Sequence, residues 1–350
     1  MVITMARDIG IDLGTSSVLI YLKGKGIVLD EPSVVALDTD RGAIRKIGRE
    51  AEAMIGRTPP HISTIRPMRD GVISQYDMTL KMLQYFLRHA GGTMTYKPRL
   101  VICVPSGITE VEERALVDAA TQAGASKTYL LEEPIAAARG AGLDIDAPRG
   151  CMVVDIGGGT TDVAVISMGG IVVSDSIKVG GDKYDDAIIR YMRRKHNLFI
   201  GERTAEEVKM RIGSIWQGDG AIDKSIEVRG RCLLTGLPKS VTVTSQEIAD
   251  ALDETAGQIE DAVCKVVEKI PTELLGDIAS QGILFTGGAA MVSGTDKRMS
   301  KITGLRCRIA ENPRMCVING LGWALGNLSQ MQDGTQGLIA KQRKQNIRNG

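Results

Sequence analysis

Residues 155–162, which read Asp-Ile-Gly-Gly-Gly-Thr-Thr-Asp, combine carboxylates, three successive glycines and two hydroxyls. Successive glycines suit a place where the backbone comes close to a ligand and directs its N–H groups towards it. A carboxylate ahead of such a turn and hydroxyls behind it suit a metal-bound phosphate. The same residues are also compatible with a tight hairpin that contains a glycine bulge. The stretch by itself therefore leaves a phosphate site and a structural turn as alternatives.

The segments on either side of this stretch are predicted to be strands. Apolar runs at 151–154 and 163–166 flank it, and two β-type runs joined by a glycine-rich turn predict a hairpin. Near the start of the chain, strand patterns at 7–12 and 18–22 enclose a second turn, Gly14-Thr15-Ser16-Ser17. An aspartate precedes each turn, so the same strand–turn–strand unit is predicted twice.

The two units align as an internal repeat, with Asp12 on Asp155 upstream of the turn and Gly14 on Gly159 downstream of it. In this alignment the second glycine turn is two residues longer than the first. A repeat of about half the chain predicts two domains of one fold, related by a pseudo-twofold axis. Each domain would present an aspartate and a Gly-Thr turn to a shared cleft.

The composition predicts a globular protein of two domains, since 350 residues with 43% apolar and 24% charged residues can bury a sizeable core. A net charge of +1 argues against nucleic acid as the main partner and permits self-association. Six cysteines without a CxxC pair predict buried free thiols in a reducing cytosol, and three separated histidines predict no zinc site. No segment has the length of a membrane span, and residues 1–6 lack a secretory signal.

The remaining sequence alternates strand and helix patterns, which predicts an α/β fold with mixed sheets. Helices are expected over residues 77–89, 111–123, 135–141, 184–195, 202–212, 244–269, 296–302 and 316–328, and further strands over 27–29, 100–104, 128–131, 282–285 and 305–310. Residues 30–65 are polar and irregular and are predicted to form a small inserted subdomain. Residues 214–244 alternate apolar and polar side chains, which predicts a small β region. Thr244 with Glu247 predicts a capping box.

Five segments together resemble the actin, Hsp70 and sugar-kinase superfamily of ATPases. They are the two turns that follow Asp12 and Asp155, and the segments Leu131–Ala138, Thr286–Ala289 and Gly320–Gly322. Three further stretches are similar to the MreB family of bacterial actins, which organises rod-shaped growth; these are residues 25–36, 179–185 and 211–214. The resemblance covers residues 7–330, and its specificity comes from the number and order of the motifs.

The resemblance implies an actin-like ATPase fold. This fold has two similar RNase H-like domains with mixed sheets flanked by helices, each with a small inserted subdomain, and nucleotide in the cleft between the domains. The matching boundaries are 1–147 plus 318–335 for domain I with an insert at about 32–75, 148–317 for domain II with an insert at about 183–244, and 336–350 for a basic tail expected to be disordered.

The resemblance also implies the residues of an ATP site. Nucleotide would contact Gly14, Thr15, Ser16, Ser17, Gly157, Gly158, Gly159, Thr160, Thr161, Gly181, Glu206, Lys209, Gly287, Gly288, Ala289 and Ala290. Asp12 and Asp155 would hold Mg²⁺ through its waters, because Mg²⁺ sheds water reluctantly. Glu133, at the start of a helix, would orient or deprotonate the attacking water, with a helix-capping carboxylate as the alternative. The longer second turn would reach around the γ-phosphate.

Two parts of this implied site carry open questions. Glu206 and Lys209 lie one turn apart on a predicted helix, so an ordinary solvated pair is the alternative to a nucleotide contact. The sequence also departs from the family pattern, with Thr15-Ser16-Ser17 where Thr-Ala-Asn is usual and Gly287-Gly288-Ala289 where three glycines are usual. These departures put an amide contact to phosphate and one close backbone approach in question.

Membrane contact is implied by the family rather than by composition. Members use an N-terminal amphipathic helix, for which residues 1–6 are too short, or an apolar loop of the first domain. The matching loop is 92–96, with Met94 and Tyr96 as its apolar side chains. Many copies in a filament would reinforce such a weak contact, and the basic tail would add attraction to anionic lipid. A plain surface loop and a solvated tail are the alternatives.

The function that the resemblance implies is that of an ATP-dependent, filament-forming bacterial actin homologue. It would assemble on the inner face of the cytoplasmic membrane, organise cell-wall synthesis with the elongation machinery, and hydrolyse Mg-ATP slowly. A small-molecule kinase of the same fold would need a catalytic base beside a sugar pocket, and the sequence offers no obvious candidate. An Hsp70-type chaperone would need a separate peptide-binding domain, and a plasmid-segregating actin would lack the MreB-like segments.

Overall fold

The computed structural model describes residues 8–91 and 97–331. The chain divides into two compact units, the first comprising Met1–Asp144 and Met315–Gly350 and the second Ile145–Arg314. Both units are of the α/β class with mixed sheets, as the alternation of strand and helix patterns predicts. None of the helices in the described ranges combines the length and apolarity that crossing a membrane requires.

The elements follow one another closely along the chain. The strands are β1 (Asp8–Leu13), β2 (Ser17–Leu22), β3 (Gly26–Pro32), β4 (Val35–Asp38), β5 (Ala43–Ile47), β6 (Ile62–Ile65), β7 (Met68–Arg69), β8 (Val72–Ile73), β9 (Arg99–Val104), β10 (Lys127–Glu132), β11 (Cys151–Ile156), β12 (Thr161–Ser167), β13 (Gly170–Ile177), β14 (Leu198–Phe199), β15 (Ser225–Cys232), β16 (Pro238–Thr244), β17 (Ile283–Thr286) and β18 (Cys307–Ile309). The helices are α1 (Arg49–Glu52), α2 (Tyr76–Gly91), α3 (Glu110–Gln122), α4 (Glu133–Gly140), α5 (Gly181–His196), α6 (Glu202–Ile212), α7 (Ser245–Val267), α8 (Thr272–Gln281), α9 (Thr295–Thr303) and α10 (Cys316–Gly326).

The two units contain central sheets with the same pairing pattern. In the first unit the strand order is β3-β2-β1-β9-β10, and in the second it is β13-β12-β11-β17-β18. In each sheet the first three strands pair antiparallel and the last two join in parallel. This match confirms the prediction that the strand–turn–strand repeat marks two copies of one fold.

Each central sheet is buried by its own helices. In the first unit Ile9 and Ile11 of β1 pack with Phe86 of α2 in one apolar cluster. In the second unit Val154 of β11 packs with Ile259 of α7 in another. Strands covered on both faces are apolar throughout, which is why these runs were recognisable in the sequence. All six cysteines are free and five of them are buried, as predicted, whereas Cys264 is half-buried.

Residues 30–65 are regular rather than irregular, so that part of the prediction was wrong. Strands β5, β4 and β6 form a three-stranded antiparallel sheet in this region. Val34, Ala36 and Ala51 form a small apolar cluster here, whereas Val35 and Ile47 are buried in the larger apolar cluster of the first unit. Because the buried residues are few and are divided between two clusters, the hydrophobic pattern is weak, which explains why the sequence did not reveal the sheet.

Helix ends follow local capping chemistry. Thr244 and Glu247 form the predicted capping box at the start of α7, with both reciprocal hydrogen bonds present. Helix α5 begins at Gly181, three residues before the predicted start at Tyr184. Helix α8 was not predicted, because Ile278 is its only fully buried residue in the described structure and its apolar pattern is correspondingly weak.

Candidate functional site

The two glycine-containing turns have the same length. In the first unit Leu13 pairs with Val18, and in the second Ile156 pairs with Thr161, so four residues form the turn in both. The same backbone hydrogen bond closes them: Gly14 N–H donates to the Ser17 carbonyl at 3.0 Å and Gly157 N–H to the Thr160 carbonyl at 2.9 Å. The prediction of a second turn two residues longer was therefore wrong, and the expectation that it reaches around the γ-phosphate loses that basis.

The two additional residues of the second unit lie in strand β12 rather than in the turn. The register of β2 on β3 shifts after Ile20, two residues beyond Val18, whereas that of β12 on β13 shifts after Val165, four residues beyond Thr161. An insertion of two residues keeps every strand side chain on its original face. The alternating pattern is therefore preserved, and sequence alignment cannot locate the insertion.

Interactions with neighbouring segments anchor the first turn. The buried Thr15 side chain accepts a hydrogen bond from Gly71 N–H at 3.0 Å through its Oγ1. Ser33 N–H donates to the Ser16 carbonyl at 3.0 Å. A side chain at Gly14 would place its Cβ only 3.0 Å from the Ser17 carbonyl oxygen. Serines in place of the usual Ala-Asn are thus accommodated in an ordered turn.

Two backbone hydrogen bonds join the amino end of α5 to the second turn. Gly181 N–H donates to the Gly157 carbonyl at 2.9 Å and Asp182 N–H donates to the Gly158 carbonyl at 2.8 Å. In a trans peptide the carbonyl and the following N–H point in opposite directions. The N–H groups of Gly158 and Gly159 therefore point away from α5, which is the arrangement of a backbone site for an anion.

The Thr161 hydroxyl and the Gly180 backbone are both enclosed by neighbouring atoms. The Thr161 hydroxyl is fully buried and donates to the Val179 carbonyl at 2.7 Å. A Cβ at Gly180 would lie 2.6 Å from the Gly157 carbonyl oxygen and 2.7 Å from that of Gly158. Only glycine therefore fits at position 180. This residue belongs to the family-like stretch 179–185, but the sequence did not assign it to the site.

The aspartates at the strand ends differ in their surroundings. Asp155, at the end of β11, is buried and accepts a 2.6 Å hydrogen bond from the Thr286 hydroxyl through Oδ1. Asp12, at the corresponding place on β1, is half-buried. Thr286 lies opposite Asp155 in the parallel pairing of β11 with β17. The sequence did not predict the contact of Thr286 with Asp155. The position of Thr286 directly before Gly287-Gly288 was the available indication that it lies near the site.

The carboxylate oxygens are of the kind that Mg²⁺ prefers. Within the described ranges, no group of three or more His, Cys, Asp or Glu residues could hold a metal ion by itself. Asp12 of the first unit and Asp155 of the second each offer carboxylate oxygens of this kind, and their assignment to Mg²⁺ stays a prediction.

The segment 286–290 folds tightly against the end of β11. Gly287 has a φ of +85°, and a Cβ there would lie 2.2 Å from the Ile156 carbonyl oxygen. Gly288 is exposed, with no atom within 4 Å of a Cβ position. Ala289 and Ala290 are buried, and the Ala289 Cβ is 3.5 Å from the Cβ position of Gly181. The alanine in place of a third glycine is thus part of a buried segment.

Glu206 and Lys209 are not paired with each other. Lys209 Nζ donates to Asp185 Oδ2 at 2.7 Å and to the Gly181 carbonyl at 3.1 Å, whereas Glu206 is exposed. The solvated-pair alternative therefore does not describe Lys209. Sequence reasoning missed Asp185 as the partner, because the two residues are on different helices.

Glu133 is the first residue of α4, in the first unit. A carboxylate there lies at the positive end of the helix. Two close approaches fix α4 against α10: a Cβ at Gly140 would lie 1.7 Å from the Cys316 carbonyl oxygen, and one at Gly320 would lie 1.9 Å from that of Ala136. Glycine at both positions lets the two helices cross nearly in backbone contact, so α4 presents Glu133 from a rigid support.

The predicted membrane loop, with Met94 and Tyr96, and the predicted basic tail at 336–350 lie outside the described residues. Their structural roles stay predictions. The assignment of inserted subdomains likewise stays a prediction.

A family model described as MreB/Mbl protein matches residues 6–333. The chain is 49% identical to the cell shape-determining protein Mbl of Bacillus cereus over 327 residues, which is 93% of this chain and 98% of that protein. It is 48% identical to the cell shape-determining protein MreB of Escherichia coli K12 over 326 residues, which is 91% of this chain and 93% of that protein.

Solved structures agree with the sequence comparison. The crystal structure of MreB5 of Spiroplasma citri bound to ADP superposes with a TM-score of 0.86 at 37% identity, covering 99% of both chains. The MamK double helical filament has a TM-score of 0.76 at 20% identity over 92% of this chain, a likeness that concerns the fold alone. With two central sheets of one pattern and a family match over nearly its whole length, the chain belongs to the MreB/Mbl protein family.

Proposed function

We propose that this chain is an ATP-binding, filament-forming bacterial actin homologue that acts in cell shape. The observation that carries the proposal is the duplicated turn. Asp12 and Asp155 each precede a four-residue turn closed by the same backbone hydrogen bond, in two sheets of one pattern. A duplicated carboxylate-and-amide arrangement suits a ligand that offers several phosphates and a cation.

Nucleotide binding is supported by structural relatives. MreB5 of Spiroplasma citri was solved with ADP and with AMPPNP, and each of these structures covers 99% of this chain with a TM-score of 0.86. In our proposal the N–H groups of both turns contact phosphate oxygens. The segment 287–290, together with Lys209, contacts the nucleoside.

Hydrolysis is proposed to be slow and to serve assembly. Asp12 and Asp155 would hold a Mg²⁺ ion, which would supply positive charge to neutralise the phosphates. Glu133 accepts a proton from the attacking water or orients it, because a carboxylate at the start of a rigidly packed helix is well placed for that role.

Assembly and location complete the proposal. In our proposal the chain forms homopolymers at the inner face of the cytoplasmic membrane and organises cell-wall synthesis. Its relatives Mbl and MreB are named cell shape-determining proteins, which supports the role in cell shape. The near-neutral net charge of +1 is compatible with self-association. The loop with Met94 and Tyr96 is the proposed membrane contact, which filament assembly would multiply.

A sedimentation assay tests this function. The purified full chain with Mg-ATP is expected to form filaments that pellet and are visible by electron microscopy, and to do so more readily on anionic liposomes than on neutral ones. Chain without nucleotide is the control. Absence of assembly with any nucleotide, combined with phosphorylation of a sugar, would instead identify a small-molecule kinase of the same fold.

A further inference from the structure

A buried ion pair lies behind the glycine turn of the second unit. Lys209 Nζ of α6 is 2.7 Å from Asp185 Oδ2 of α5, and the two side chains are only 12% and 13% exposed. The same ammonium donates to the Gly181 carbonyl at 3.1 Å. The pair therefore ties α6 to the first turn of α5.

Burial of the Asp185 carboxylate disfavours its charged form. Its Oδ1 is buried, and within the described residues it has no hydrogen-bond partner. Burial raises the pKa of Asp185 to about 7, against the attraction of Lys209, and the charges of Glu206 and Asp182 add to the rise. A buried ion pair with one unsatisfied oxygen contributes little net stability. The arrangement is therefore better explained by a role at a site than by stability.

The contacts of this pair converge on Gly181. The Gly181 N–H donates to the Gly157 carbonyl of the glycine turn at 2.9 Å, while its own carbonyl accepts from Lys209. The Cβ position of Gly181 is 3.3 Å from Lys209 Nζ and 3.5 Å from the Ala289 Cβ. Gly181 thus hydrogen-bonds both the turn and the Lys209 ammonium, and it has no room for a larger side chain beside Lys209 and Ala289.

We propose that Asp185 is a positioning residue for bound nucleotide, which holds Lys209 against the Gly181 peptide and thereby fixes the turn 157–160. This inference rests on the proposed nucleotide site. Asp185 acts through Lys209 and makes no contact with the ligand. Without the carboxylate, the ammonium loses its 2.7 Å partner and no longer holds Gly181 in one position.

A double-mutant cycle tests the proposal, because it separates action through Lys209 from a general loss of structure. Mg-ADP affinity is measured calorimetrically for wild type, Asp185→Asn, Lys209→Met and the double variant. Each single substitution is expected to weaken binding about tenfold, and the double variant is expected to be no weaker than Lys209→Met alone. If the two losses of Mg-ADP affinity multiplied, to about a hundredfold in the double variant, the proposal would be overturned.

Two controls keep the test decisive. Asp186→Asn removes the same charge from the exposed neighbouring position on α5 and should leave affinity unchanged. If Asp185→Asn does not fold, Asp185→Ser enters the same cycle, with thermal unfolding recorded for every variant. Failure of the wild type to bind Mg-ADP would refute the proposed function. Binding by the wild type with multiplying losses would refute only the role of Asp185.

Discussion

The Thr286 hydroxyl donates a 2.6 Å hydrogen bond to Asp155 Oδ1, across two parallel strands and 131 residues of sequence. Both side chains are buried, so the bond is shielded from water. It fixes the orientation of the carboxylate that we assign to the cation of a bound nucleotide. A donor that orients such a carboxylate contributes to affinity without touching the ligand.

Replacement of Thr286 by valine is expected to weaken Mg-nucleotide binding by about tenfold. The substitution keeps the side-chain shape but removes the donor, and loss of a hydrogen bond to a buried carboxylate lowers the unfolding free energy by about 1–3 kcal/mol. Urea unfolding and Mg-ADP titration measure the two effects. Thr286→Ser retains a hydroxyl and should remain near wild type, and equal losses in both variants would argue against the hydrogen bond as the cause.

Replacement of Glu133 by alanine is expected to slow ATP hydrolysis by roughly a hundredfold or more, the usual scale for loss of a general base. Nucleotide affinity and filament assembly should stay largely intact, because the residue is assigned to the attacking water rather than to the phosphates. Phosphate release and sedimentation measured on one preparation separate these effects. If Glu133→Ala abolished nucleotide binding, the residue would be structural.

Gly180→Ala is expected to disrupt the second turn. The new methyl group would lie 2.6 Å from the Gly157 carbonyl oxygen, so either the turn or the start of α5 must move. Loss of Mg-ADP binding should accompany a lower unfolding temperature. Gly257→Ala, in α7, meets nothing within 4 Å and should stabilise the protein by about 0.4–1 kcal/mol. Normal binding by Gly180→Ala would show that the turn tolerates displacement.

Stability should depend on pH through Asp185. Its pKa in the folded protein is raised to about 7 from an ordinary 3.8, mainly by burial. The folded state therefore holds this proton more tightly than the unfolded state, and the associated stability is lost as pH rises from about 4 through 7. The unfolding free energy of wild type relative to Asp185→Asn should fall between pH 5.5 and pH 8, by at most about 2 kcal/mol. A pH-independent difference between the two proteins would contradict the assignment.

The sequence predicted the local chemistry of the site better than its long-range contacts. Both hairpins, the capping box of Thr244 and the duplicated aspartate are local patterns, and each is present in the structure. Thr286 and Asp185 were missed because their partners lie on other strands and helices. Pairing of Asp155 with Thr286 depends on the parallel register of β11 and β17, which no local pattern encodes.

The wrong placement of the two-residue insertion in the second glycine turn has a similar cause. A two-residue insertion before the β12 register shift keeps the alternation of side chains, so alignment placed it among the glycines. Strands β4 to β6 escaped recognition because their buried side chains are few and are divided between two apolar clusters. In both cases the deciding factor was a hydrogen-bond register or a packing contact rather than residue type.

Calorimetric titration of Mg-ADP into the full wild-type chain and into Asp155→Ala tests the central claim most directly. We expect saturable one-to-one binding by the wild type and binding weakened by at least about tenfold in the variant, because the carboxylate at the end of β11 is assigned to the cation. Wild-type protein that shows no binding at millimolar Mg-ADP, or equal affinity in the two proteins, would contradict the account.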